Sequence, residues 1–205
     1  MSKPIIEGLL ISAGYSSRMG DFKPLLKVGN ESFIVAVIRK LLLVCDKITV
    51  VTGFNSELIE QELENVFEKE INSSSPKLNI VFNADFHNGM FSSVQCGVAS
   101  ISNSDWVLMH FVDQIGLPDK FYTEFVAEID DNHDWIQPVY DMKQGHPVLF
   151  KKTCFEKILQ SPSNYRMKLI RGDDEIIKKY WFTEYSGIVE DIDTQEDLVR
   201  YTKNS

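Results

Sequence analysis

The residues best able to handle a phosphate lie near the N-terminus. Ser12, Ala13 and Gly14 are followed by Tyr15, Ser16 and Ser17, and then by Arg18 and Lys23. Small side chains leave the peptide N–H groups of such a run uncovered, and successive free N–H groups form an anion-binding concavity. Gly14 permits a positive φ and close approach of a ligand to the backbone. A forked guanidinium at Arg18 and a point-charge ammonium at Lys23, with Gly20 allowing a turn between them, add what a polyphosphate requires. The same residues also describe an ordinary strand–loop connection carrying two solvated cations. Farther on, Leu108-Met109-His110-Phe111-Val112 runs into Asp113. Mg²⁺ is usually held by one or two carboxylates plus substrate phosphates, so a carboxylate ending an apolar strand is a candidate metal ligand. Its alternative is to cap the next helix.

These side chains need rigid elements behind them. Ile5-Ile6 and Leu9-Leu10-Ile11 are rich in branched residues and short, as in a buried strand. Similar strands read at 47–52, 78–82, 106–112, 134–139, 147–150 and 181–183. Helices are expected from Ser32 to Val44, with Phe33, Ile34, Val37 and Leu41 at helical spacing, and over 56–70, 92–101, 119–129, 155–159 and 174–179. Residues 72–76, Asn-Ser-Ser-Ser-Pro, form a loop inside the domain. Alternating strands and helices predict a single domain over residues 1–205. Its fold is a Rossmann-like three-layer α/β sandwich with a mostly parallel central sheet, which takes ligands at the carboxyl ends of its strands.

The composition excludes several classes. A chain of 205 residues with 43% hydrophobic and 25% charged residues is a globular α/β protein. A net charge of −9 is wrong for a nucleic-acid binder, and no apolar run approaches the ~18 residues of a membrane span. Cys45, Cys96 and Cys154 are far apart and form neither a disulfide framework nor a zinc site, which points to a reducing compartment. The expected location is the cytoplasm. A dinucleotide-dependent oxidoreductase would need GxGxxG after the first strand, and the glycines are missing.

The run Ser12-Ala13-Gly14-x-Ser16-Ser17-Arg18-Met19-Gly20-x-x-Lys23 resembles the signature loop of the MobA-like nucleotidyltransferases, nearest to the molybdenum cofactor cytidylyltransferases. Two further segments extend the resemblance. Residues 83–93 are similar to the family's Asn-x-x-x-x-x-Gly-Met-x-x-Ser element, with Ala84 where proline usually follows the asparagine. Residues 191–198, Asp-Ile-Asp-Thr-Gln-Glu-Asp-Leu, resemble the family's Asp-Ile-Asp-Thr-Pro-Glu-Asp-Leu. Asp113-Gln114 resembles the start of its Asp-Gln-Pro element, with Ile115 in place of the proline.

The resemblance implies nucleotide transfer from an NTP to a phosphate monoester, with release of pyrophosphate, on a sheet of the nucleotide-diphospho-sugar transferase type. It implies backbone contacts to the nucleotide from Ser12, Ala13 and Gly14, and further contacts from Asn83 and Ser93. Arg18 would face the β- and γ-phosphates, Lys23 the α-phosphate, and Asp113 with Asp193 would hold Mg²⁺. Gly145-His146-Pro147 is similar to an acceptor-side motif of the cytidylyltransferase branch, placing His146 on the acceptor side; a surface histidine in a turn is the alternative. Ser12-Ala13-Gly14 is closer to the Ala-Ala-Gly of the cytidine-using enzymes than to the Leu-Ala-Gly-Gly of the guanylyltransferases. The implied substrates are therefore CTP and molybdopterin, with a molybdoenzyme or maturation factor as a protein partner. Residues 172–175, Gly-Asp-Asp-Glu, stand where this branch usually has Gly-Asp-x-Gly-Ala-Arg and lack its second glycine and its arginine. That leaves open a small sugar or alcohol phosphate acceptor, as in the methylerythritol-phosphate cytidylyltransferases, or a nucleotide-binding module without turnover.

Overall fold

The computed structural model describes residues 3–15 and 22–204. In chain order the elements are β1 (Ile6–Ile11), β2 (Lys27–Val28), β3 (Glu31–Ser32), α1 (Phe33–Leu41), β4 (Lys47–Thr52), α2 (Ser56–Asn72) and β5 (Leu78–Phe82). There follow α3 (Met90–Ser100), β6 (Trp106–Phe111), α4 (Asp119–Ala127), β7 (Trp135–Tyr140), β8 (Lys143–Gln144) and β9 (Val148–Lys151). The chain closes with α5 (Phe155–Gln160), α6 (Met167–Gly172), β10 (Lys178–Phe182) and α7 (Gln195–Asn204).

The main sheet has the order β10-β7-β9-β6-β1-β4-β5, with β8 beside β7. β1 pairs in parallel with both β4 and β6, β4 with β5, and β7 with β10. β9 alone of the long strands is inverted, antiparallel to β6 on one side and β7 on the other. The chain leaves β1 toward β4 and β5, then returns to the opposite side of β1 for β6. That reversal opens a crevice at the carboxyl ends of β1 and β6, where an open α/β sheet binds its ligands.

Both faces of the sheet are covered, so its central strands are apolar on both sides rather than alternating with polar residues. On β1, Ile6 and Leu10 join α1, α2 and α4 in one core; Leu9 and Ile11 join α3, α5 and α6 in the other. β6 divides in the same way, with Trp106 and Leu108 facing one side and Val107 and Met109 the other. The parallel sheet with two helical layers matches the architecture read from the sequence.

Three local expectations are corrected. The charged stretch 174–179 is not a helix. Ile176 is buried at 3% exposure, and the backbone of Ile177 pairs with Asp134, whose N–H donates to the Ile177 carbonyl at 2.8 Å. This tertiary pairing starts a strand at Lys178, earlier than the predicted 181, and the helix lies upstream as α6. The helix expected from Ser92 begins at Met90 instead, because Gly89, with φ of 107°, takes the N-cap conformation that few side chains tolerate. No positive φ occurs at Gly14. A Cβ there would meet no protein atom within 4 Å, so this glycine matters for the open space beside its backbone.

Candidate active site

The walls of the crevice come from loops at the carboxyl ends of three neighbouring strands. After β1, the N–H of Ser12 donates to the carbonyl of Val51 at 2.9 Å, carrying the β1–β4 pairing one residue further. The carbonyl of Ala13 accepts from the Phe54 N–H at 3.2 Å. Gly53 makes this approach possible, since a Cβ on it would lie 2.7 Å from Phe86 Cβ and 2.8 Å from the Ala13 oxygen. Tyr15 packs against Phe54 and Phe86, with ring centroids 5.1 and 5.3 Å away. Sequence reading missed this aromatic wall; its signal was an aromatic residue in each loop after β1, β4 and β5. Beneath it Ser12 is 3% exposed, and its Oγ has no hydrogen-bond partner among the described residues. A buried hydroxyl without a partner is costly and suits a site that a polar ligand completes.

Lys23 and two carboxylates form the opposite wall. Lys23 opens a single 3₁₀ turn, Lys23–Leu25, and is only 6% exposed. Its Nζ donates to Asp193 Oδ1 at 2.7 Å and to Asp113 Oδ2 at 3.3 Å. Asp113 lies just beyond β6. Asp193 arrives from the far end of the chain, where the Ile192 N–H donates to the Asp113 carbonyl at 3.0 Å. The start of α7 braces it: Asp197 Oδ2 accepts from the Thr194 N–H at 2.9 Å and the Asp193 N–H at 3.3 Å, and the Asp197 N–H donates back to Thr194 Oγ1 at 3.2 Å. Thr194 and Asp197 thus form a reciprocal cap on the helix. Asp191 faces away from Lys23 to Gln114, whose Nε2 donates to Asp191 Oδ1 at 2.9 Å. Behind Asp113, Lys40 of α1 donates to the carbonyls of Ile115 (2.5 Å) and Leu117 (2.6 Å), pinning the loop in which Ile115 stands for the family's proline. Burial holds the Lys40 pKa below its ordinary value. Nothing in the sequence marked this lysine.

Ser12, Ala13, Gly14, Lys23, Ser93, Asp113 and Asp193 all line one cavity of about 340 Å³. Asn83 stands one layer back. It is 4% exposed, its Nδ2 donates to the Oγ of Ser92 and of Ser93 at 3.0 Å each, and its Oδ1 accepts from the Asp85 N–H at 3.0 Å. Arg18 lies outside the described residues.

His146 lines a second cavity, of about 450 Å³, that meets the first along Gly89, Met90 and Phe111. Its lining is mostly apolar and aromatic, including Phe91, Phe111, Tyr165 and Met167, with Arg166 and Lys168 on the same segment. The His146 N–H donates to the Ile188 carbonyl at 2.8 Å, and its ring meets Phe111 edge-on with centroids 4.8 Å apart. Burial, followed by the charge of Arg171, lowers the His146 pKa to about 4, so the ring is neutral at physiological pH. Arg171 is itself fixed by buried Gln137, whose Oε1 accepts from its Nη1 at 2.9 Å.

Asp113 and Asp193 direct hard oxygen atoms at one point, where the Lys23 ammonium now stands as a covalently attached cation. No group of three or more His, Cys, Asp or Glu side chains placed for a metal occurs among the described residues. Two carboxylates opening onto this cavity fit a hard divalent cation that takes its other ligands from substrate oxygens and water.

Residues 8–177 match the family model described as the MobA-like NTP transferase domain. The chain is 28% identical over 204 residues to the molybdenum cofactor cytidylyltransferase of Escherichia coli strain K12, covering 97% of this chain and 98% of that protein. Two solved structures share the fold. Rv0371c of Mycobacterium tuberculosis H37Rv superposes with a TM-score of 0.79 at 16% identity, covering 99% of this chain and 100% of its own; it has also been solved as a complex with manganese. The 4-diphosphocytidyl-2C-methyl-D-erythritol synthase of Anaerococcus prevotii DSM 20548 superposes with a TM-score of 0.73 at 14% identity, covering 98% and 96% of the two chains.

Proposed function

Because this chain belongs to the MobA-like NTP transferase family, we propose that it transfers the CMP group of CTP to the phosphate monoester of molybdopterin and releases pyrophosphate. The observation that carries the reading is the convergence of Lys23, Asp113 and Asp193 on one cavity with the 12–15 backbone, beside a second, apolar cavity. The first cavity takes the nucleotide, with Ser12, Ala13, Gly14 and Ser93 against it. The second takes the acceptor. Its aromatic and methionine lining suits a flat heterocycle better than the hydroxyls of a sugar or polyol phosphate, and His146, Arg166 and Lys168 offer hydrogen bonds or charge to an anion.

In the reaction an oxygen of the acceptor phosphate attacks the α-phosphorus of CTP. The new P–O bond forms as the bond to the bridging α–β oxygen breaks, and that oxygen leaves with pyrophosphate. A phosphate monoester at neutral pH is already a nucleophile, so the chain needs no general base. Its work is to position the two phosphates and to neutralise charge as it builds. Lys23 supplies a charge-assisted hydrogen bond to the α-phosphate oxygens, and Arg18 one to the leaving pyrophosphate. Asp113 and Asp193 would hold Mg²⁺, which when bound offsets charge on the phosphates. The neutral ring of His146 orients the acceptor by hydrogen bonding rather than by charge. The proposed setting is the cytoplasm, with a molybdoenzyme or maturation factor receiving the product; no helix among the described residues is long and apolar enough to cross a membrane.

Calorimetric binding of CTP, GTP, ATP and UTP, each with and without Mg²⁺, tests the reading. Magnesium-dependent preference for CTP is expected, followed by pyrophosphate release on adding reduced molybdopterin. Preference for GTP would move the chain to guanylyl transfer, and turnover of methylerythritol phosphate instead of the pterin would reassign the acceptor. Binding without pyrophosphate release would make it a nucleotide-binding module.

A further inference from the structure

The Lys23 ammonium occupies the point on which both metal-binding carboxylates converge, yet the chemistry asks it to contact the α-phosphate. Its Nζ lies 2.7 Å from Asp193 and 3.3 Å from Asp113, and the side chain is nearly all buried. The backbone holds it there, because the Leu26 N–H closes the turn on the Lys23 carbonyl at 3.1 Å and Pro24 fixes the next φ.

We infer that Lys23 is a built-in counter-cation that makes metal and nucleotide bind together. The inference rests on the nucleotidyltransferase reading. Before nucleotide arrives, the tethered ammonium offsets the repulsion between Asp113 and Asp193, and any divalent ion must compete with it for the same oxygens. Drawing a buried ammonium off two carboxylates is costly unless another anion receives it. A triphosphate in the neighbouring cavity is such an anion. As it enters, Lys23 transfers its hydrogen bonds from the carboxylates to phosphate oxygens, and the freed carboxylates become available to the metal. Metal therefore strengthens nucleotide binding and nucleotide strengthens metal binding by the same factor, as linkage requires. Lys23 thus acts twice, first as a guard of the diacid site and then as an α-phosphate ligand.

The test uses Mn²⁺ as a paramagnetic probe of the whole protein and the Lys23→Met variant, which keeps an unbranched side chain one atom shorter and removes its charge. Loss of the free-ion EPR signal measures Mn²⁺ binding without nucleotide, and calorimetry measures binding of the Mn²⁺–CTP complex. Mn²⁺ alone should bind the variant about ten-fold more tightly than the wild type, within the usual range of coupling factors, while Mn²⁺–CTP should bind the wild type more tightly. Equal affinity of the two proteins for Mn²⁺ alone, with Mn²⁺–CTP still binding the wild type, overturns the counter-cation inference and leaves the nucleotide reading standing. Failure of Mn²⁺–CTP to bind either protein overturns that reading and this inference with it. If the variant does not fold, the wild type serves with its lysines ¹³C-labelled at the ε position. The Lys23 resonance should stay in place with Mg²⁺ alone and shift only when CTP is added; a shift with Mg²⁺ alone overturns the inference.

Discussion

Replacing Asn83 with alanine separates a residue that touches the nucleotide from one that holds the residue touching it. The resemblance to the family assigns Asn83 a nucleotide contact, but its side chain is buried and its three hydrogen bonds go to Ser92, Ser93 and the Asp85 N–H. At a net ~0.5–1.5 kcal/mol for each of three bonds, Asn83→Ala should cost about 2–4 kcal/mol of stability. For a domain of this size that lowers Tm by about 5–15 °C. Ser93→Ala removes one acceptor and leaves one hydrogen of the buried Asn83 amide unpaired, which should cost about 1–3 kcal/mol, while weakening Mg²⁺–CTP binding several-fold. A double-mutant cycle on nucleotide affinity decides the matter. If Asn83 acts by orienting Ser93, then Asn83→Ala weakens CTP binding in the wild-type background and adds little once Ser93 is gone. Thermal melts and calorimetry on the four proteins supply every term. An Asn83→Ala protein of normal Tm whose loss of affinity adds fully to that of Ser93→Ala would refute the positioning role.

Two further outcomes follow from the geometry. Lys23→Ala should lower turnover by about 10² to 10³, the usual cost of one preorganised donor to transition-state charge, and a variant turning over near the wild-type rate would remove Lys23 from the chemistry. Acid should destabilise the fold through His110, a fully buried ring whose Nδ1 donates to the Phe111 carbonyl and whose Nε2 accepts from Tyr122. Burial lowers its pKa from 6.5 to about 3, so the unfolded chain takes up the proton first and stability falls as pH drops below about 6.5. Between pH 6.5 and 4.5 the His110 share is about 2–3 kcal/mol, so by urea unfolding the wild type should lose that much more stability than His110→Gln, in which His146 still contributes; equal pH slopes would contradict it.

The parts of the site carried by short contiguous patterns were legible in the sequence. An apolar run ending in Ser-Ala-Gly, and another ending in Asp113, mark strand ends whatever the rest of the chain does. What was not legible depends on partners far along the chain. The stretch 174–179 has the charges of a surface helix and becomes the approach to a strand because Asp134 pairs with Ile177. The inversion of β9 leaves no mark in its composition, since a strand buried on both faces is apolar in either direction. Lys40 reads as a solvated lysine of an amphipathic helix until the loop behind Asp113 folds over it. Asn83 shows the limit of transferring roles by motif: sequence supplies the residue type, and only packing tells whether the amide faces a ligand or a serine.

The C-terminal segment then takes on more weight than its place in the chain suggests. The family match ends at residue 177, yet Asp193 lies beyond it and contacts the same ammonium as Asp113. The Ile188 carbonyl, also beyond it, accepts from the His146 N–H at 2.8 Å and from Gln114 Nε2 at 3.4 Å. Gly145 can pass this carbonyl only because it has no Cβ. One peptide group thus ties His146 to the residue next to Asp113, while the Ile192 N–H ties the segment to Asp113 itself. The C-terminal segment thus lines the first cavity through Asp193 and braces His146 in the second, so on the proposed function the spacing between acceptor and nucleotide would depend on how residues after 177 dock on the sheet as well as on the signature loop.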